Sequence, residues 1–441
     1  MKKRIVLLIA IITAYLMAIP ASAEGVKICI DPGHGGENLG AEWEDYTEKE
    51  ITLIVANAMK EELEKYEGIE VFMTRTSDVD MELKERIDYA KSVGADFFFC
   101  LHFNMSVNHD IYGTENWISA FGKNYARGMD FAKIEMDMLT DLGLYDRGIK
   151  TRLNKKGMNY YGVLRMGDEA GIPGVIIEHC HLDNYNDAPF YDHNELLVKY
   201  GKLDATAVAK YYGLYSPELG LDFRDYTFEP TPIPSKKVSP DTTEPEVCQV
   251  KVGDIYEEEQ VDETGQLVDY KSYVDLEITA SDPDSRMLYY SVSFDGGNTF
   301  SERYPWQGDY VDKEDTISAT VELPYGRDIN LVVNAYNLFD LCTASDSQYL
   351  GRLDKKDIPE PVEEIFEEEI TPEYETISPY DTVDIDASED IDLKTMDKTL
   401  IILIIVLAVA GLIVLLVGAY FIIEISRHNR RKRKRNKYKR N

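Results

Sequence analysis

Six of the seven histidines in the 441-residue chain fall between residues 34 and 193. His34 follows the apolar segment Ile28-Cys29-Ile30 through Asp31-Pro32-Gly33, and His102 directly follows Phe97-Phe98-Phe99-Cys100-Leu101. Glu178 directly follows Val175-Ile176-Ile177, and Glu48 opens a helical pattern behind Thr47. A carboxylate at the end of an apolar strand carries a desolvation cost, so Glu178 asks for a purpose. Two imidazoles and one carboxylate suit a catalytic zinc, with the fourth position left to a water that the ion acidifies to a pKa of about 7. A second carboxylate near the metal, not bound to it, takes that water's proton and delivers it to a leaving amine. The residue types alone leave open which of Glu48 and Glu178 is the ligand and which the base.

These groups need a scaffold, and residues 24–214 read as an α/β domain. Apolar runs at residues 26–30, 69–73, 97–101 and 174–177 are expected to be buried strands. Between them lie helical patterns: Ile51, Val55, Met59 and Leu63 share one face, Thr47 and Glu50 suit a capping box, and residues 83–93 and 196–212 continue the alternation. The expected fold is a mixed sheet with helices on both faces. Sites in such sheets form beyond the carboxyl ends of strands, which is where His34, His102 and Glu178 fall. His179 and His181 alternate away from Glu178, so strand periodicity turns both to the opposite face as structural groups, provided the strand runs on unbroken. Cys29, Cys100 and Cys180 are expected to be small buried hydrophobes.

The segment from Ile28 through Asp31-Pro32-Gly33-His34-Gly35-Gly36, then Gly40-Ala41, then Glu48-Lys49-Glu50-Ile51-Thr52-Leu53, resembles the opening of the zinc-dependent N-acetylmuramoyl-L-alanine amidases. These are bacterial cell-wall amidases of lysis, division and sporulation. Thr74-Arg75, Leu83-Lys84-Glu85-Arg86, Gly94-Ala95-Asp96, Leu101-His102-Phe103-Asn104, Asp146-Arg147-Gly148, Val163-Leu164-Arg165 and Val175-Ile176-Ile177-Glu178 continue the likeness over about residues 26–213. The resemblance implies that His34, Glu48 and His102 bind zinc and that Glu178 is the general base and then acid. It implies that Arg165 helps position substrate, and that the reaction is hydrolysis of the amide joining muramic acid to L-alanine in peptidoglycan. The chain departs from the family after Glu178, where His179-Cys180-His181 replaces an apolar–Gly–apolar continuation. The loop from 104 to 122 also looks individual and is where substrate preference is expected. Two rival readings are a non-catalytic muropeptide-binding surface receptor and a zinc peptidase acting on stem peptides.

The rest of the chain describes how such a domain is displayed. Lys2-Lys3-Arg4, an apolar run and Pro20-Ala21-Ser22-Ala23 have the layout of a secretory signal peptide over 1–23. Residues 215–246 are Pro-rich and read as a stiff extended linker. Residues 247–352 show period-two alternation, as in Val274, Leu276 and Ile278, with an Asp295-Gly296-Gly297-Asn298 hairpin turn; an immunoglobulin-like β-sandwich is expected, acting as a spacer or as a docking surface for a division or sporulation partner. Cys248 and Cys342, near its first and last strands, suit a disulfide in an oxidising compartment. Residues 353–399 hold 17 acids, four Lys and four Pro and read as a disordered, self-repelling stalk. Residues 400–423 carry no charge; as a helix they would extend about 36 Å at ~1.5 Å per residue, enough for a ~30 Å membrane core. The ten cations in 424–441 mark the cytoplasmic side. The expected location is therefore a cell membrane, crossed once by the C-terminal helix, with the catalytic domain facing the wall. The chain's net charge of −33 argues against nucleic acid as partner. With three cations ahead, and ten cations and one acid behind, the stretch 24–399 holds 34 cations against 79 acids.

Overall fold

Strands and helices alternate through the first half of the chain, and the alternation builds a single six-stranded sheet. The structure, a computed structural model, describes residues 25–307 and 314–358. The expected signal segment, the membrane helix at 400–423, the basic tail and nearly all of the acidic stalk lie outside the described residues. Among the described residues no helix is long and apolar enough to cross a membrane.

The strands are β1 (Val26–Pro32), β2 (Ile69–Met73), β3 (Phe97–Asn104), β4 (Thr114–Ile118), β5 (Asp146–Lys150) and β6 (Gly174–His181). Their spatial order is β2-β1-β3-β6-β4-β5. The first four run parallel; β4 is antiparallel to β6, and β5 is parallel to β4. The helices are α1 (Glu48–Leu63), α2 (Leu83–Val93), α3 (Gly122–Asp141), α4 (Gly162–Ala170) and α5 (Asn194–Tyr212). Ile28, Ile30, Phe97, Phe99, Leu101, Val175 and Ile177 pack under α1, α3 and α5. Cys29, Phe98, Cys100, Trp117 and Ile176, on the other face, pack under α2 and α4. Both faces are covered, which is why β3 reads as a continuous apolar run rather than an alternating one. Cys29, Cys100 and Cys180 are buried free thiols, as expected.

Two elements of the expected plan change. The 104–122 loop contains a strand, β4, all five residues of which are buried. Thr47 does precede α1, but its hydroxyl makes no cap and is buried without a partner. The first carboxylate of that helix is turned instead toward the histidines.

Residues 247–352 form two antiparallel sheets around one core. One holds β7 (Val247–Val261), β8 (Leu267–Ser281) and β11 (Glu314–Leu323); the other holds β9 (Met287–Ser293), β10 (Tyr304–Pro305), β12 (Asp328–Asn337), β13 (Cys342–Ala344) and β14 (Gln348–Arg352). The alternating residues meet between the sheets: Val274, Leu276 and Ile278 with Ile317, Val321, Ile329, Leu331 and Val333. The expected turn is present, with the Asp295 carboxylate accepting from Asn298 N and Thr299 N at 3.0 and 2.9 Å. Cys248 and Cys342 are free, and the Cys248 thiol donates to the Val333 carbonyl at 3.4 Å.

The Pro-rich stretch is strapped down rather than spanning open solvent. Thr231 N donates to Asp130 Oδ1 at 2.6 Å, Val238 N to Ala120 O at 2.9 Å, and Phe228 stacks on Tyr211. The sandwich lies against the α/β domain, so it is no simple spacer.

The α1 and α5 helices approach closely at Gly201. A Cβ there would stand 2.3 Å from Val55 O and 2.6 Å from Met59 N, both backbone atoms that have nowhere to go. Gly201→Ala should lower unfolding free energy by about 1–3 kcal/mol, read as a lower urea midpoint. An unchanged midpoint would show that the two helices separate at no cost.

Candidate metal centre

His34 sits just past β1 in a left-handed conformation, φ +62°, which a histidine adopts only when its surroundings hold it there. Two buried arginines do so. Arg75 donates to Pro32 O and Gly33 O at 3.0 and 2.7 Å, and Arg86 donates to Pro32 O and His34 O at 2.9 and 2.8 Å. Arg86 is itself paired with buried Asp31 at 2.8 Å. His34 Nδ1 lies 2.9 Å from Asn38 Oδ1, an acceptor that engages this nitrogen and leaves Nε2 to face Glu48.

Glu48, the first residue of α1 and only 4% exposed, lies between the two histidines. Its Oε2 is 3.0 Å from His34 Nε2, and its Oε1 is 2.8 Å from His102 Nδ1. Ala41 N and Phe103 N also donate to it, at 2.8 and 3.0 Å. Burial works to raise the Glu48 pKa, but hydrogen bonds and charge from His102 and His34 outweigh it and hold the carboxyl well below its usual range. One ligand atom from each of His34, Glu48 and His102 falls within 4.8 Å of the other two. This is a donor set for one metal ion, and the backbone around it is cleared for the purpose. A Cβ on Gly33 would stand 2.5 Å from the His102 ring, and one on Gly40 (φ +72°) would stand 2.5 Å from Glu48 Oε2 and 2.6 Å from the His34 ring. Among the described residues these three form the one group of His, Cys, Asp and Glu side chains so placed.

Glu178 pairs in register with His102 on β3 and with Glu115 on β4, so the three side chains leave the same face from adjacent strands. Its part-exposed carboxylate has no hydrogen-bond partner among the described residues. Burial, then the charges of Glu48 and Glu115, push its pKa well up. A crevice of about 280 Å³ is lined by His34, His102, Asn38, Met81, Leu83 and Tyr161, and Glu178 is not part of that lining. Arg165 is not part of that lining: its guanidinium donates to the carbonyls of Asn159 and Tyr160.

The two extra histidines divide. His179 faces away as expected, with Nδ1 3.0 Å from His102 O and Nε2 3.1 Å from Asp204. His181 does not, because a bulge in β6 sets it opposite Asn104 and returns it to the Glu115 side. It holds Gly113 O at 3.1 Å and is no ligand. Unforeseen in the sequence is a buried charge cluster on the same face. Glu115 accepts from Arg147 Nε (3.0 Å), Lys150 Nζ (2.7 Å), Asn104 Nδ2 (3.0 Å) and Trp117 Nε1 (3.1 Å). Burial works to raise the Glu115 pKa, and the Lys150 and Arg147 charges overcome it to keep the group ionised.

An α/β domain with a histidine–carboxylate–histidine centre and a lone carboxylate beside it is the outline of a hydrolase. Residues 28–210 match the N-acetylmuramoyl-L-alanine amidase family. The chain is 32% identical over 191 residues to the N-acetylmuramoyl-L-alanine amidase CwlM of Bacillus licheniformis, covering 43% of this chain and 70% of that protein. It is 34% identical over 168 residues to the sporulation-specific N-acetylmuramoyl-L-alanine amidase of Bacillus subtilis (strain 168), covering 37% of this chain and 59% of that protein. The solved catalytic domain of CwlV, an N-acetylmuramoyl-L-alanine amidase from Paenibacillus polymyxa var. colistinus, aligns over 42% of this chain and 98% of its own length, with 25% identity and a TM-score of 0.37. The chain belongs to the N-acetylmuramoyl-L-alanine amidase family.

Two outcomes follow for the site. Gly33 has an ordinary φ, so Gly33→Ala acts only through the collision with the His102 ring; it should cost about 10–100-fold in metal affinity, measured by competition with a chelator. An unchanged affinity would show that the ring moves aside freely.

The second outcome concerns pH. Burial, with Arg147 nearby, pushes His181 down to about 4, and burial pushes Asp187 up to about 6. Unfolded, His181 binds a proton that it refuses when folded, so its contribution is lost as pH falls from about 6.5. Asp187, held protonated in the fold, contributes in the opposite sense, and its part is lost as pH rises through about 6. The two contributions therefore oppose each other between about pH 4 and 6. Relative to the wild type, Asp187→Asn, which keeps an acceptor for His181 N and Gly113 N, should lose about 1.4 kcal/mol per pH unit on acidification through that window. Parallel denaturation curves for the two proteins would refute this.

Proposed function

We propose that the chain is a zinc-dependent N-acetylmuramoyl-L-alanine amidase that acts on peptidoglycan from the outer face of a membrane. The observation that carries the reading is Glu48 held between His34 and His102, with Glu178 on the strand adjacent to His102. His34, Glu48 and His102 would hold the zinc, a fit supported by two nitrogen donors, one oxygen donor and the glycine clearances at 33 and 40. Bound there, zinc supplies a Lewis acid that acidifies water and polarises the scissile carbonyl. Glu178 takes the proton of the attacking water and passes it to the leaving amine of L-alanine. Tyr161 and Leu83 give the sugar–peptide junction an apolar wall. Arg165, bound to the Asn159 and Tyr160 carbonyls, steadies the turn that carries Tyr161 and bears on substrate position in that way.

The signal-peptide pattern at 1–23, the uncharged stretch at 400–423 and the basic tail at 424–441 support display on the outside of a cell membrane, anchored by one C-terminal helix. We read the sandwich as immunoglobulin-like on its two antiparallel sheets around one core.

Intact peptidoglycan incubated with the zinc-loaded protein should gain L-alanine amino termini, and chelation should stop their release. Termini from other stem residues would make the protein a peptidase, and no release would make it a receptor. Glu178→Ala should lower turnover by about 10²–10⁴-fold while zinc stoichiometry, read by metal analysis, stays at the wild-type value. Zinc lost from that variant would move Glu178 into the ligand set.

A further inference from the structure

Arg147 belongs to the α/β domain, on β5, and is 2% exposed. One of its nitrogens serves that domain: Nε donates to Glu115 Oε2 at 3.0 Å. The other two serve the sandwich. Nη1 donates to Tyr289 Oη at 3.1 Å and Nη2 to Asp340 Oδ2 at 2.8 Å. A buried guanidinium needs its donors matched, and removing one anionic partner leaves a charge stranded in a dry place. Asp340 is built to stay where it is. It occupies the turn between β12 and β13 with φ +63°, pinned by fully buried Asn337, which accepts from Phe339 N and Leu341 N at 3.0 Å each. Arg303 of the sandwich donates to Asp340 Oδ1 at 2.7 Å and reaches across to Asp110 at 3.0 Å. The Tyr289 hydroxyl also donates to Tyr112 O, and the Tyr145 hydroxyl to Leu288 O.

The chain of contacts therefore leads from the sandwich to the crevice. Asp340 orients Arg147, Arg147 orients Glu115, and Glu115 stands beside Glu178 on the ladder. Glu115 also accepts from Asn104, two residues beyond His102. We propose that the sandwich is a working part of the active site, in which Asp340 is a positioning residue that holds Arg147 against Glu115 and so fixes the carboxylate next to Glu178. This rests on the reading of Glu178 as the proton carrier.

The test uses the full-length, zinc-loaded chain. Asp340→Asn keeps the size of the side chain and removes its charge; kcat on peptidoglycan should fall about tenfold, with KM and zinc stoichiometry unchanged. Hydrogen exchange of the β4 amides, residues 114–118, should quicken in the same variant. Asp340→Glu should restore part of both. Arg286→Ala, which breaks the pair with Asp146 at the same interface without touching Arg147, should leave kcat unchanged. In a double-mutant cycle, Asp340→Asn and Arg147→Met should be non-additive in kcat. Should Asp340→Asn fail to fold, Tyr289→Phe removes one donor's partner on Arg147 and should move kcat and exchange in the same direction by less. Wild-type kcat and exchange in Asp340→Asn would overturn the proposal, and so would an equal fall in Arg286→Ala, which would reduce the interface to general docking. A wild-type chain that releases no L-alanine termini sinks the amidase reading instead. The β4 exchange then still decides whether Asp340 holds this strand.

Discussion

One carboxylate held between two imidazoles organises the catalytic half of the molecule. Glu48 stays ionised though nearly buried, because His34 and His102 approach it from opposite oxygens and two backbone amides complete its shell. Each partner imposes a condition on the fold. His34 must leave β1 through a left-handed turn, so Arg75 and Arg86 bind the carbonyls around it. His102 must end a central strand, so β3 runs through the middle of the sheet with apolar residues on both faces. The start of α1 must come close, so Gly33 and Gly40 carry no side chain.

A second charge system, larger and drier, lies on the same face two strands away. Glu115, Arg147, Lys150 and Asp340 are mutually matched, which makes the group costly to disturb from any side. The two systems meet at Glu178, whose side chain has no hydrogen-bond or ion-pair partner among the described residues. Its raised proton affinity is the sum of what its neighbours withhold. In this arrangement the carboxylate proposed as the proton carrier is the one left unsatisfied between two satisfied clusters.

Much of this was legible in the chain. The parallel strands and α1 are written in local apolar runs and a helical period, His102 and Glu178 directly follow two of those runs, and the sandwich core is written in period-two alternation. Long-range matters were not. Thr47 was expected to cap α1, but the Glu48 carboxylate beside it turns toward His34 and His102, and that pull has no local signature. His181 was assigned a face by counting, and one inserted residue in the ladder reversed the count. The strand at 114–118 hides its purpose because its acid is neutralised by cations 32 and 35 residues later, and by Asn104 and Trp117 close by. The proline-rich stretch has the composition of a free spacer; only the docked structure shows hydrogen bonds to Asp130 and Ala120 holding it down.

The bond between Arg147 and Asp340 joins residues 193 positions apart. A chain delivered from its amino terminus presents Arg147 long before its acidic partner exists. Until the sandwich arrives, that guanidinium can satisfy its remaining donors only in water, and the β5 edge of the sheet must stay wet to let it. The crevice is thus finished last, by the distal domain, so a nascent or truncated chain carries every residue of the metal centre and still lacks the side that steadies it.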